Sequence, residues 1–76
     1  MSRDDIREEL IATDDEFRRL FQEHRASEER LTRIQQKSWL SQDDEVEEKR
    51  IKLHKLALKD RMELLVRQRS AERVHA

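Results

Sequence analysis

Not one glycine or proline occurs in the 76 residues of this chain, where average usage would supply roughly nine. Those two residues make the sharp turns, bulges and phosphate-binding loops of most folds. A chain without them is confined to long helices joined by very short connections. Cysteine is missing as well, which excludes disulfides, thiolate metal sites and thiol nucleophiles and fits a reducing, cytoplasmic setting.

Capping residues divide the chain. Ser2 with Asp5 marks a short first helix over about 3–11, carrying Ile6, Leu10 and Ile11. Thr13-Asp14-Asp15-Glu16 reads as a capping box with Thr13 as the N-cap, and its acids suit the positive end of a helix dipole. Ser41-Gln42-Asp43-Asp44 repeats the pattern. Helix A is therefore expected over about 14–37, a turn at 38–41, helix B over about 42–70 and a frayed tail at 71–76. Four turn residues between long helices give an antiparallel hairpin. One continuous helix through residue 41 is the competing arrangement, since no glycine or proline forbids it. The expected fold is all-α, a single coiled-coil-like helical hairpin domain with a short N-terminal helix, assembling into a helical bundle.

Helix A presents Phe17, Leu20, His24, Ser27, Leu31 and Ile34 at 3-4-3-4-3 spacing, a coiled-coil seam with two polar positions. Helix B carries two apolar lines: Val46, Leu53, Ala57 and Leu64 with Leu56 beside them, and Ile51, Leu58, Met62 and Leu65 on another side. The expected hairpin core is Phe17, Leu20, Leu31, Ile34, Leu53 and Leu56. Ile51, Leu58, Met62 and Leu65 are then left for the short helix, a second protomer or another protein. A two-helix hairpin alone leaves too much apolar surface wet, so a homo-oligomer, dimer or higher, is expected. Trp39 and Leu40 are expected to plug the turn over Ile34 and Val46; the competing role for Trp39 is an exposed binding hot spot.

Charge is almost balanced overall but unevenly placed. Residues 1–48 hold 15 acids against 8 bases, while residues 49–76 hold 3 acids against 9 bases. Antiparallel arms bring these opposite potentials together. The competing use is an anion-binding stretch for RNA, DNA or an acidic surface, built on Lys49, Arg50, Lys52, Lys55, Lys59 and Arg61. No aromatic residue interleaves that stretch, so base stacking has no support and nucleic acid is a weak candidate.

Catalytic chemistry finds little footing. Ser2, Ser27, Ser38, Ser41 and Ser70 fall in caps, helix surface or turn, and no strand precedes any of them to build a nucleophile elbow. His24 and His54 are expected at one level of the hairpin, but neither is the histidine of a Glu-x-x-His pair. His24 is read as a polar seam residue. No enzyme activity, cofactor or metal is expected. Met1-Ser2-Arg3-Asp4-Asp5 leads into no apolar segment of a signal peptide, and Leu64-Leu65-Val66 is far short of the ~20 apolar residues of a membrane span.

The run Leu10-Ile11-Ala12-Thr13-Asp14-Asp15-Glu16-Phe17-Arg18-Arg19-Leu20 with Glu23-His24 resembles the opening of the YdcH-like small bacterial proteins, a domain family of unknown function. Trp39-Leu40-Ser41, Lys49-Arg50-Ile51-Lys52 and Lys55-Leu56-Ala57-Leu58-Lys59-Asp60 carry the resemblance on, so that it covers about residues 8–66. Arg25 stands where the family often has a second histidine, and Ser27 where it has leucine. The resemblance implies a bacterial, coiled-coil-like helical hairpin and implies no activity, substrate or cofactor.

Overall fold

The computed structural model describes residues 3–74, and within them the chain forms three helices and no strand. Helix α1 spans Arg3–Thr13, α2 Asp15–Gln35 and α3 Gln42–Val74. Helices α2 and α3 form an antiparallel hairpin, and α1 packs against both. The rod measures 53 × 20 × 17 Å, its long dimension set by the 33-residue α3. The expected cap at Ser2 lies outside the described residues. Helix α3 runs past Ser70 to Val74, because nothing in Ala71-Glu72-Arg73 breaks a helix; residues 75–76 lie outside the described range.

The corner between α1 and α2 is one residue wide. Asp14, extended at φ −117°, ψ 113°, is the N-cap, its carboxylate accepting from the Phe17 amide at 2.8 Å. Thr13 is therefore not the cap. Its hydroxyl donates to the Glu9 carbonyl at 2.8 Å and closes the last turn of α1. Aspartate caps at least as well as threonine, and placing it there lets α1 run two residues further than expected. Arg18 secures the same corner from the other side. Its Nε and Nη2 donate to the carbonyls of Ile11 and Ala12 at 2.9 and 3.2 Å, satisfying acceptors that the end of α1 leaves open.

The α2–α3 turn also forms without a left-handed residue among those described. Lys37 N–H tightens to the Ile34 carbonyl at 3.1 Å, a 3₁₀-type closure that needs no glycine. Ser41 and Asp44 then make a reciprocal capping box: the Asp44 amide donates to Ser41 Oγ and the Ser41 amide to Asp44 Oδ2, both at 3.1 Å. The Asp44 carboxyl is held below its ordinary value, first by the hydrogen bond from Lys37 and then by that from the Ser41 amide.

Two apolar clusters hold the helices together. At the open end, Ile6 and Leu10 of α1, Phe17 of α2 and Met62, Leu65 and Val66 of α3 are buried, with Ile11 and Leu20 packed against them. At the turn end, Leu31, Ile34 and Ile51 are buried beneath Leu40. Between the clusters lie the buried Leu58 and Ser27.

Helix α3 is rotated relative to the sequence expectation. Ile51, Leu58, Met62 and Leu65 point into the core, whereas Leu53 and Leu56, expected there, are 68% and 57% exposed. Turning the line Leu53-Ala57-Asp60-Leu64 inward would carry the Asp60 carboxylate toward the core, which is costly. The other line is interrupted by Lys55, whose long stem can lie along the seam while its ammonium reaches Glu28 at 3.7 Å. The turn plug is corrected too. Trp39 is 76% exposed and Val46 about half exposed. Helices in contact run 8–10 Å apart, and Leu40 takes the position at the mouth of that gap.

Candidate interaction surfaces

With the core side of α3 fixed, three outward surfaces remain, each set by helical periodicity. The first is an edge of ion pairs along the hairpin seam. Glu9, Glu16, Glu23 and Arg30 follow one another at intervals of seven residues. They meet Arg69 at 3.5 Å, Arg61 in a two-pronged contact at 2.9 and 3.1 Å, His54 at 3.5 Å, and Glu47. Within α2, seven residues is close to two helical turns, so Glu16, Glu23 and Arg30 stay on one edge, and α1 brings Glu9 to Arg69 beyond the corner. The acidic first arm thus lies against the basic second arm. Glu16 also strengthens the hold of Arg61 on its proton. Pairs this exposed are worth little individually, and their regular spacing mainly orients the helices.

The opposite edge carries an open groove of about 530 Å³ lined by Phe21, His24, Leu56, Met62 and the cations Arg7, Lys52, Lys55 and Lys59, with Glu28. Most of these charges are already engaged: Arg7 with Glu63 at 2.6 Å, Lys55 with Glu28, and Lys52 with Glu48 at 3.5 Å. His24 Nδ1 lies 3.7 Å from Glu28 Oε1. His24 and His54 share a level of the hairpin but occupy opposite edges, so the fold does not bring them together. Among the described residues, no group of three or more His, Asp or Glu side chains could hold a metal ion.

The third surface is the back of α3. Val46, Leu53, Leu56 and Leu64 are all exposed there, and Trp39 stands clear at the turn. This face, not the one bearing Ile51, Leu58, Met62 and Leu65, is the unpartnered apolar surface. Asp60, interrupting one apolar line, is the sequence signal that could have shown it. Of the basic stretch named from sequence, Arg61, Lys55 and Lys52 are in ion pairs, while Lys49, Arg50 and Lys59 make none among the described residues. No described helix is long and apolar enough to cross a membrane.

These features define a small all-α protein whose distinctive chemistry lies on helix surfaces. The chain belongs to the DUF465 family of proteins of unknown function, whose profile matches residues 17–66, from the buried Phe17 to the buried Val66. That is most of the hairpin, and it agrees with the YdcH-like resemblance of the sequence. No curated protein and no solved structure matches the chain significantly.

Proposed function

We propose that the chain is a non-enzymatic, self-associating helical interaction module of the bacterial cytoplasm, serving as an adaptor or regulatory subunit. One observation carries this reading: large apolar side chains stand exposed in a row on the back of α3, the side facing away from its own core. Single exposed leucines need no explanation, but several aligned on one helix face mark an interaction surface. Trp39 at the hairpin tip adds an anchor of the residue type that dominates interface energetics. The test is molar mass by sedimentation equilibrium across the micromolar range, for the wild type and for Leu53→Glu with Leu64→Glu. The expected result is a concentration-dependent oligomer that the double substitution reduces to monomer with helicity retained. A wild type that stays monomeric throughout would overturn it.

A second reading is favoured by the groove, where Arg7, Lys52, Lys55 and Lys59 surround Phe21 and Leu56. In it the chain binds an anionic partner such as RNA, DNA or an acidic surface. Binding would weaken steeply with added salt. No retention on heparin or RNA at low salt would eliminate it.

A further inference from the structure

The back of α3 has an internal symmetry that specifies its occupant. From Val46 the face runs Val46, Arg50, Leu53, Ala57, Asp60, Leu64, with steps of 4-3-4-3-4 residues. At 100° per residue these six positions fall within a stripe about 80° wide. All six are exposed. The steps read the same from either end, and so does the order of apolar and charged positions, except that the cation at one end becomes an anion at the other. Arg50 and Asp60 make no ion pair among the described residues.

We infer that this stripe is the contact between two copies of the chain, with the α3 helices antiparallel about a two-fold axis level with residue 55. The inference rests on the self-association proposed above and gives it a geometry. In this arrangement Val46 lies opposite Leu64 of the second copy, Leu53 opposite its Ala57, and Arg50 opposite its Asp60. The two-fold repeats each contact, so two ion pairs flank a central cluster of two leucines and two alanines. A parallel pairing in register would instead set Arg50 against Arg50 and Asp60 against Asp60, which like-charge repulsion disfavours. Ala57 lets the helices approach closely at the centre, and Leu56 lies at the margin. The stripe is about 27 Å long, a contact at the small end of specific interfaces, so a dimer that dissociates in the micromolar range is expected.

Charge exchange on the full chain tests the geometry. Arg50→Asp alone places two carboxylates together at both flanking positions, and Asp60→Arg alone places two guanidinium groups there. Each should weaken dimerisation by about tenfold or more. The two variants mixed in equal amounts should form a heterodimer, and the double exchange R50D/D60R should restore the homodimer. Circular dichroism checks that each variant keeps its helicity. A wild-type dimer that Leu53→Glu dissociates but neither charge variant weakens would overturn the antiparallel register and leave self-association standing. A wild type monomeric at every concentration would overturn both. Homodimers of the single variants as tight as the wild type, with no preference for the mixture, would also refute the pairing of Arg50 with Asp60.

Discussion

Leu58 and Leu53 are five residues apart on one helix, chemically identical and on opposite sides of it, 6% and 68% exposed. Truncating each to alanine isolates the rotation of α3. Leu58→Ala empties a site between α2 and α3, and such truncations cost about 2–5 kcal/mol through lost transfer energy plus the remaining cavity. A chain of this length has a total stability of roughly 4–11 kcal/mol, so the loss is a large share of the whole. At about 4–8 °C per kcal/mol for a domain this small, the melting temperature should fall by at least about 8 °C. Leu53→Ala removes the same atoms from water-exposed surface, and alanine is the better helix former. Its effect on the monomer should stay within about 0.5 kcal/mol. The assay is urea and thermal unfolding followed by circular dichroism, repeated at several protein concentrations. The Leu58→Ala loss should persist at every concentration, whereas any Leu53→Ala loss should grow only where the wild type self-associates. Equal losses at the most dilute concentration would refute the assigned rotation of α3 and everything built on its back face.

Two further outcomes follow from the helix ends. Asp14→Ala should cost about 1 kcal/mol by orphaning the Phe17 amide, with Thr13→Ala costing clearly less; thermal melts of the two variants compare them directly. The Asp44 carboxyl, lowered chiefly by Lys37 and then by the Ser41 amide, is deprotonated more readily folded than unfolded. Its stabilisation is therefore fully present above the unfolded carboxylate value and is lost as pH falls through the lower folded value. Carbon-detected NMR titration should give Asp44 a midpoint below the ordinary aspartate range, and Lys37→Ala should move it upward.

The hairpin was legible in the sequence because its two junctions are written in local chemistry. Ser41 with Asp44 forms the expected reciprocal cap, and the 3-4 spacing from Phe17 to Ile34 places Phe17, Ser27, Leu31 and Ile34 inward. The cap of α2 was displaced by one residue because Thr13 and Asp14 are both good caps, and only the fold shows which hydroxyl or carboxylate is used at the end of α1. The rotation of α3 was harder to read. Its leucines and isoleucine spread around the helix, so hydrophobicity ranks Leu53, Leu56 and Leu64 equally with Leu58 and Leu65. Two signals could have decided between the lines: the lone Asp60 within one, and the seven-residue rhythm linking Glu16, Glu23 and Arg30 to Arg61, His54 and Glu47. Trp39 was misplaced for a simpler reason. Size and apolarity argue for burial, but it is Leu40 that packs against Leu31, Ile34 and Ile51 while Trp39 stays exposed.

One rung of the ion ladder runs against the others. Glu9 of α1 and Glu16 and Glu23 of α2 face cations or histidine, but Arg30 faces Glu47. With the polarity of the other three, sliding the arms by two helical turns would still match acids with bases or histidine. The reversed rung breaks that degeneracy. Slippage one way sets Glu23 against Glu47, two carboxylates, and the other way moves Arg30 from its carboxylate partner to the level of His54, so each slipped alignment loses the Arg30–Glu47 pair. Arg30 and Glu47 thus reinforce, close to the turn, the alignment that the Ser41–Asp44 cap already sets.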